Sequence, residues 1–126
     1  MLTLAQILRE TPESTLRTAS TIIPKSLRAK GEAIRIYEAA VAGGSGRPHR
    51  TVIEFHGSRL VTSPVVVTCT CENYAYNYAY ALSVRGSGRD PHADYPIRRN
   101  PQLKPGLCRH IAGLARLVLD PRFVDP

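Results

Sequence analysis

The sequence predicts a small α+β domain, on three observations. Short runs with strand alternation occupy the middle of the chain, an amphipathic helix closes it, and short helical segments open it. With 126 residues, 43% of them hydrophobic, the chain has the length of one domain and enough apolar residues for one core. No repeat with a period of 20 to 50 residues is present, which excludes solenoids and propellers.

At the N-terminus, Leu4, Ile7 and Leu8 fall at helical spacing. Thr11-Pro12-Glu13 then supplies a cap-type residue followed by proline at a first helical position. Two helices are expected, over about 3–10 and 12–20. Pro24 breaks the pattern, and Ser26 to Lys30 are expected to form one further turn, closed by Gly31 in a left-handed cap. Residues 1–31 thus read as a helical arm with little core of its own, and 32–126 as the domain proper.

From residue 33 the period changes to two. Ile34 and Ile36 alternate with Arg35 and Tyr37, the glycine-rich stretch 43–46 offers a turn, and Thr51-Val52-Ile53-Glu54-Phe55 returns as a second strand. After Gly57-Ser58 and Pro64, Val65-Val66-Val67-Thr68 makes a third β-branched run. A three-stranded antiparallel meander is expected. Residues 83–106 are dense in Gly, Pro, Asp and Asn and read as a long loop; a loop of this length is functional or is tied down by something other than an apolar core. Leu107, Ile111, Leu114 and Val118 then mark one face of a helix that stops before Pro121.

The charge is basic and arginine-rich. Of 17 basic residues 14 are Arg, and the net charge is +7. Residues 82–116 hold seven basic residues against Asp90 and Asp94, and so carry five of those seven excess charges. Arg suits carboxylate, phosphate and aromatic partners, so both an acidic protein surface and nucleic acid fit this balance. No apolar run reaches the roughly 18 residues of a membrane span, and Arg9 and Glu10 interrupt any secretory segment. A soluble, non-secreted protein is expected.

The sharpest signal is Cys69-x-Cys71 at the end of a strand, with Cys108-x-His110 at the start of a helix. Residues i and i+2 of a strand share a face, so both thiolates can close on one ion. Inside a helix, i and i+2 diverge, so Cys108 must stand before or in the first turn while His110 points inward from it. Three cysteines cannot all pair as disulfides. An isolated CxC also suits small buried strand residues, but joined to CxH, with every cysteine used, the set reads as a closed tetrahedral site for one structural zinc ion. His92, in the loop, is the competing fourth ligand. Closing the 36-residue spacer costs a few kcal/mol, against on the order of 10 kcal/mol from a structural zinc site. Such a Cys₃His site is net negative. Arg109 reads either as its neutralising partner or as a solvated helix residue.

The string VTCTC with GLCRHIAGLARLVL resembles the SWIM-type zinc finger, a strand ending in CxC and a helix opening with CxH. The spacer is longer here than is usual for that family. CTCENYAYNYAYAL followed by NPQLKPGLCRH is similar to a narrower group, small SWIM-like proteins of tailed bacteriophages. The resemblance covers about residues 31–119. It implies a non-enzymatic structural protein of the virion, assembled in the host cytoplasm and contacting other virion structural proteins. SWIM fingers are associated with DNA binding or protein contact, so a nucleic-acid-binding finger is the alternative.

Tyr74, Tyr76, Tyr78 and Tyr80 occupy alternate positions. On a strand they line one face; on a helix they form i,i+4 pairs. Continuity with the CxC strand and the β-propensity of Tyr favour extended structure. These rings can serve as substitute core, as a protein interface, or as platforms for bases. Arg98, Arg99, Lys104 and Arg116 are the basic candidates for contacting a partner or nucleic acid. No catalytic grouping emerges: His49, His56 and His92 have no nucleophile at working spacing, and the glycine-rich stretch lies between strands. No enzymatic activity is expected.

Overall fold

The computed structural model describes residues 1–42, 47–90 and 92–125. The protein is α+β. Five antiparallel strands, β1 (Leu2–Thr3), β2 (Lys25–Lys30), β3 (Arg35–Ala42), β4 (Pro48–Phe55) and β5 (Pro64–Cys69), form one sheet in the order β1-β5-β4-β3-β2. Helices α1 (Leu4–Glu10), α2 (Glu13–Ala19), α3 (Ala79–Ser83) and α4 (Arg109–Val118) complete the described elements, with a π-helical turn over Tyr74–Tyr78 leading into α3. The turn expected at 43–46 lies outside the described residues. No described helix is long and apolar enough to cross a membrane.

The predicted meander is β3-β4-β5. Its register aligns Tyr37 with Ile53 and Ile53 with Val67, and one step on it aligns Thr51 with Cys69. Residues at period two therefore share a face, and Tyr37, Ala39, Ile53, Phe55, Val65, Val67 and Cys69 join one core with the helices. The helices contribute Leu82, Ile111, Leu114 and Val118, among others. Val118 is the last core residue of α4, and the helix ends three residues short of Pro121, as the sequence requires.

Two local expectations are corrected. Ser26 to Lys30 are not a helical turn but part of β2, because Leu27 and Ala29 alternate with charged neighbours and rest against the core. A register shift between Lys25 and Arg28, with Ser26 at φ 54°, bends this edge strand. Gly31 does take the left-handed conformation expected of it, at φ 88°, but it closes a strand. The second correction is the tyrosine segment, which is helical. The Ala79 N–H bonds to the Tyr74 carbonyl in the wide π pattern.

Residues 1–31 are built into the core. Leu4 and Ile7 are fully buried, and β1 pairs with the edge of β5. Thr3 caps α1 in a reciprocal capping box with Gln6. Thr11 Oγ1 donates to the Ile7 carbonyl (2.8 Å) and accepts from the Leu107 N–H (3.1 Å), tying α1 to the approach of α4.

The described residues between α3 and α4 contain no helix or strand, as expected of the long loop. Polar contacts hold them down. The Ser87 carbonyl accepts from Val67 N–H (2.9 Å), while its hydroxyl accepts from Leu2 N–H (2.7 Å). Arg89 pairs with Glu54 of β4 through two hydrogen bonds of 3.2 and 2.6 Å.

Candidate metal centre

Strand β5 ends at Cys69, and the chain turns so that Cys71 also faces inward. The Tyr74 N–H then points at the Cys71 sulfur (3.4 Å) as the π-turn begins. At the other end of the loop, Cys108 is the N-cap of α4 in extended conformation, ψ 163°, with its sulfur accepting from Ile111 N–H at 3.5 Å. That placement satisfies the geometric demand of the CxH spacing: the cap residue stands outside the helix and His110 turns in from its first turn.

The four side chains meet. The ligand atoms of Cys69, Cys71, Cys108 and His110 all lie within 4.8 Å of one another, and all four residues are buried. Cys69 Sγ lies 3.8 Å from His110 Nδ1, so Nδ1 is the nitrogen facing the sulfurs. A tetrahedral zinc site with metal–sulfur bonds of about 2.3 Å has corners roughly 3.5–3.8 Å apart; the Cys69–His110 pair meets that spacing, and the full set lies within 4.8 Å. The donor chemistry also fits: three soft sulfurs and one imidazole, with no carboxylate in the set. His92 is exposed and lies outside the cluster.

Electrostatics within the cluster pair a thiolate at Cys71 with a protonated His110, so an ion entering it must displace protons from His110 and Cys108. Hydrogen bonds from Cys108 and Cys69 pull the Cys71 thiol far below its ordinary value. The Cys69 and Cys71 sulfurs hold the His110 imidazole up, at about 9. Burial pushes the Cys108 thiol up. All three cysteines are free thiols. Buried His110 Nε2 has no hydrogen-bond partner among the described residues, so the ring is oriented by packing and by the sulfurs at Nδ1.

One side of the cluster borders a cleft of about 550 Å³, lined by Ser14, Thr15 and Thr18 of α2 together with His49, Glu72, Asn73 and Arg109. Arg109 is exposed on the rim of this cleft. His49 is the residue that sequence reasoning passed over here. Its ring centroid lies 4.7 Å from that of His110, and its Nδ1 is 3.3 Å from Thr70 Oγ1. Only its position on a strand that pairs beside the CxC segment hints at this.

The partner-contact candidates separate. Tyr74 is buried and donates from its hydroxyl to the Val67 carbonyl (3.0 Å). Tyr78 is half-buried against Gly106, where an added Cβ would sit 2.5 Å from the ring. Tyr80 packs on Tyr95, with ring centroids 5.2 Å apart. Tyr76 is 55% exposed, with the Arg99 guanidinium 5.3 Å from its ring centroid. Tyr76, Arg98 and Arg99 thus share one cleft with Tyr95, Ile97, Asp90 and Asp94. Lys104 is exposed near the base of the loop, while Arg116 lies on α4 and donates to the Ser20 carbonyl (3.1 Å).

The cluster defines a candidate zinc-finger-like metal-binding centre. No model of a known protein family matches the chain, and comparison with curated proteins and with solved structures gives no significant match.

Proposed function

We propose that the protein is a non-enzymatic, structural zinc-binding module of SWIM type, and a component of a tailed-phage particle that contacts neighbouring subunits. The observation that carries the zinc reading is the convergence of three thiols and an imidazole within 4.8 Å, with no carboxylate among them. When bound, the ion supplies a cross-link between the end of β5 and the head of α4. The placement in a virion rests on the resemblance of the CTCENYAYNYAYAL and NPQLKPGLCRH segments.

The contact surface in this reading is the loop cleft. Ile97 is 73% exposed on a turn held by its own N–H to the Tyr95 carbonyl (2.8 Å) and by Asn100 N–H to the Pro96 carbonyl (2.9 Å). A rigid apolar residue beside exposed Tyr and Arg is what protein interfaces use as an anchor. Asp90 and Asp94 line the same cleft and oppose a phosphate backbone, which favours protein contact over nucleic acid.

The test has two arms. Elemental analysis of purified protein is expected to give one zinc per chain, and mass spectrometry of assembled particles is expected to find the protein there. A sub-micromolar shift of duplex or single-stranded DNA at about 0.15 M salt, weakening steeply as salt rises, would replace this reading with the nucleic-acid one.

A further inference from the structure

We propose that His49 is a relay for the metal ion, binding it transiently as it passes through the cleft to and from the cluster. The inference rests on the zinc reading and adds a route to it. Cys71, Cys108 and His110 are buried, and the space they border is the cleft whose walls also carry His49 and Glu72. A hydrated ion loses its waters one at a time, and a donor on the cleft wall can replace one of them before the thiolates close.

His49 is placed for that step. Its ring stands 4.7 Å from the His110 ring, tilted by 40°. In the tautomer whose Nδ1–H donates to Thr70 Oγ1, at 3.3 Å, Nε2 keeps the lone pair that a metal requires. Thr70 is the residue between Cys69 and Cys71, so the ligand turn itself aims His49. The Thr70 hydroxyl is fixed in turn by the Arg50 N–H (3.1 Å). His49 is outside the set of four mutually close donors, which makes it a way station and not a resting ligand. Glu72 on the same wall attracts the cation, against the opposing charge of Arg109 on the rim.

A transient ligand lowers the barrier equally in both directions and leaves the equilibrium alone. The experiment measures Zn²⁺ uptake by the apo protein and Zn²⁺ loss to a chromogenic chelator, by stopped flow, in the parent and in His49→Ala and His49→Phe. Both variants are expected to slow uptake and loss about tenfold each, while the Zn²⁺ Kd moves by less than about threefold. His49→Phe retains a ring against His110, so it separates the nitrogen's role from packing. Faster exchange in both directions for His49→Ala would make His49 a wall across the cleft. Faster loss alone, with weaker affinity, would make it a support for His110. Either result, or unchanged rates, overturns the relay. Zinc stoichiometry of the parent is measured first, because a protein that binds no zinc defeats the zinc reading itself and the relay with it.

Discussion

The side-chain amide of Asn100 donates to the main-chain oxygen of Asn77, 2.9 Å away, and so pins the far part of the loop onto the π-turn. The same amide donates to the Lys104 carbonyl (2.8 Å), and its oxygen accepts from the Lys104 N–H (3.0 Å). One residue thereby closes its own turn and docks it. Asn100→Ala is expected to cost about 1–3 kcal/mol of stability in the zinc-loaded protein, read by chemical denaturation. Asn100→Asp should lose at least as much, because a carboxylate cannot donate to either carbonyl. Amide exchange over 96–104 should quicken in both.

Removing one ligand should cost far more than removing one surface cation. Cys108→Ser, or chelation of the parent, is expected to lower the melting temperature by about 10 °C or more, with recovery of the chelated parent on adding Zn²⁺. Arg99→Ala, which removes an exposed guanidinium stacked on Tyr76, should stay within about 1 kcal/mol of the parent. Equal effects from the two substitutions would remove the cross-linking role from the metal.

Gly113 lies inside α4, where alanine is ordinarily the better helix former by about 1 kcal/mol. Here the sign should reverse. A Cβ at this position would stand 2.8 Å from Ile22 Cγ2 and 3.1 Å from its Cβ, next to the end of α2. Gly113→Ala is expected to destabilise the protein by about 1–3 kcal/mol, by forcing the two helices apart. A stabilised variant would show that the α2–α4 contact is loose.

Glu54 supplies a pH dependence. Its hydrogen bonds from Arg89 hold its carboxyl below the ordinary 4.5, against the opposing effect of burial. A carboxyl lowered by folding contributes stability above its unfolded value and loses it as pH falls through the lowered one. The advantage of the parent over Arg89→Ala should therefore be complete above about pH 5 and shrink below pH 4.5, with zinc loading controlled at each pH. Because the Arg89 side chain is 57% exposed, the full difference should be about 1 kcal/mol or less.

The ligand pairs and α4 were legible because both are written in spacing. Cysteines at i and i+2 on a strand, and apolar residues at 107, 111, 114 and 118, leave few other geometries. The tyrosine segment misled because its period of two imitates a strand. The deciding fact was where the strand stops: β5 ends at Cys69, and the Cys71 sulfur takes the Tyr74 N–H, which starts a helical turn. Strand β2 carried a readable signal in Leu27 and Ala29, outweighed by the nearby Gly31. The place of Leu4 and Ile7 in the core, the two-residue β1 and the approach of His49 to His110 depend on which strands neighbour each other. Local sequence does not encode that.

The hydrogen bond from Leu107 to Thr11 joins residues 96 positions apart, one residue before a member of the Cys₃His cluster. Consider the chain as a ribosome makes it. Helix α1 emerges first and the CxC turn well after it, and neither has its partner until Leu107, Cys108 and His110 have cleared the exit tunnel. Until then Leu4 and Ile7 lack the α4 side of their core, and two thiols wait for the donors that complete their set. The nascent chain is thus exposed to aggregation through Leu4 and Ile7 in this interval and, once Cys69 and Cys71 have been added, to thiol oxidation as well. The last side of the core and the last two donors of the Cys₃His cluster arrive together, within a few residues of each other.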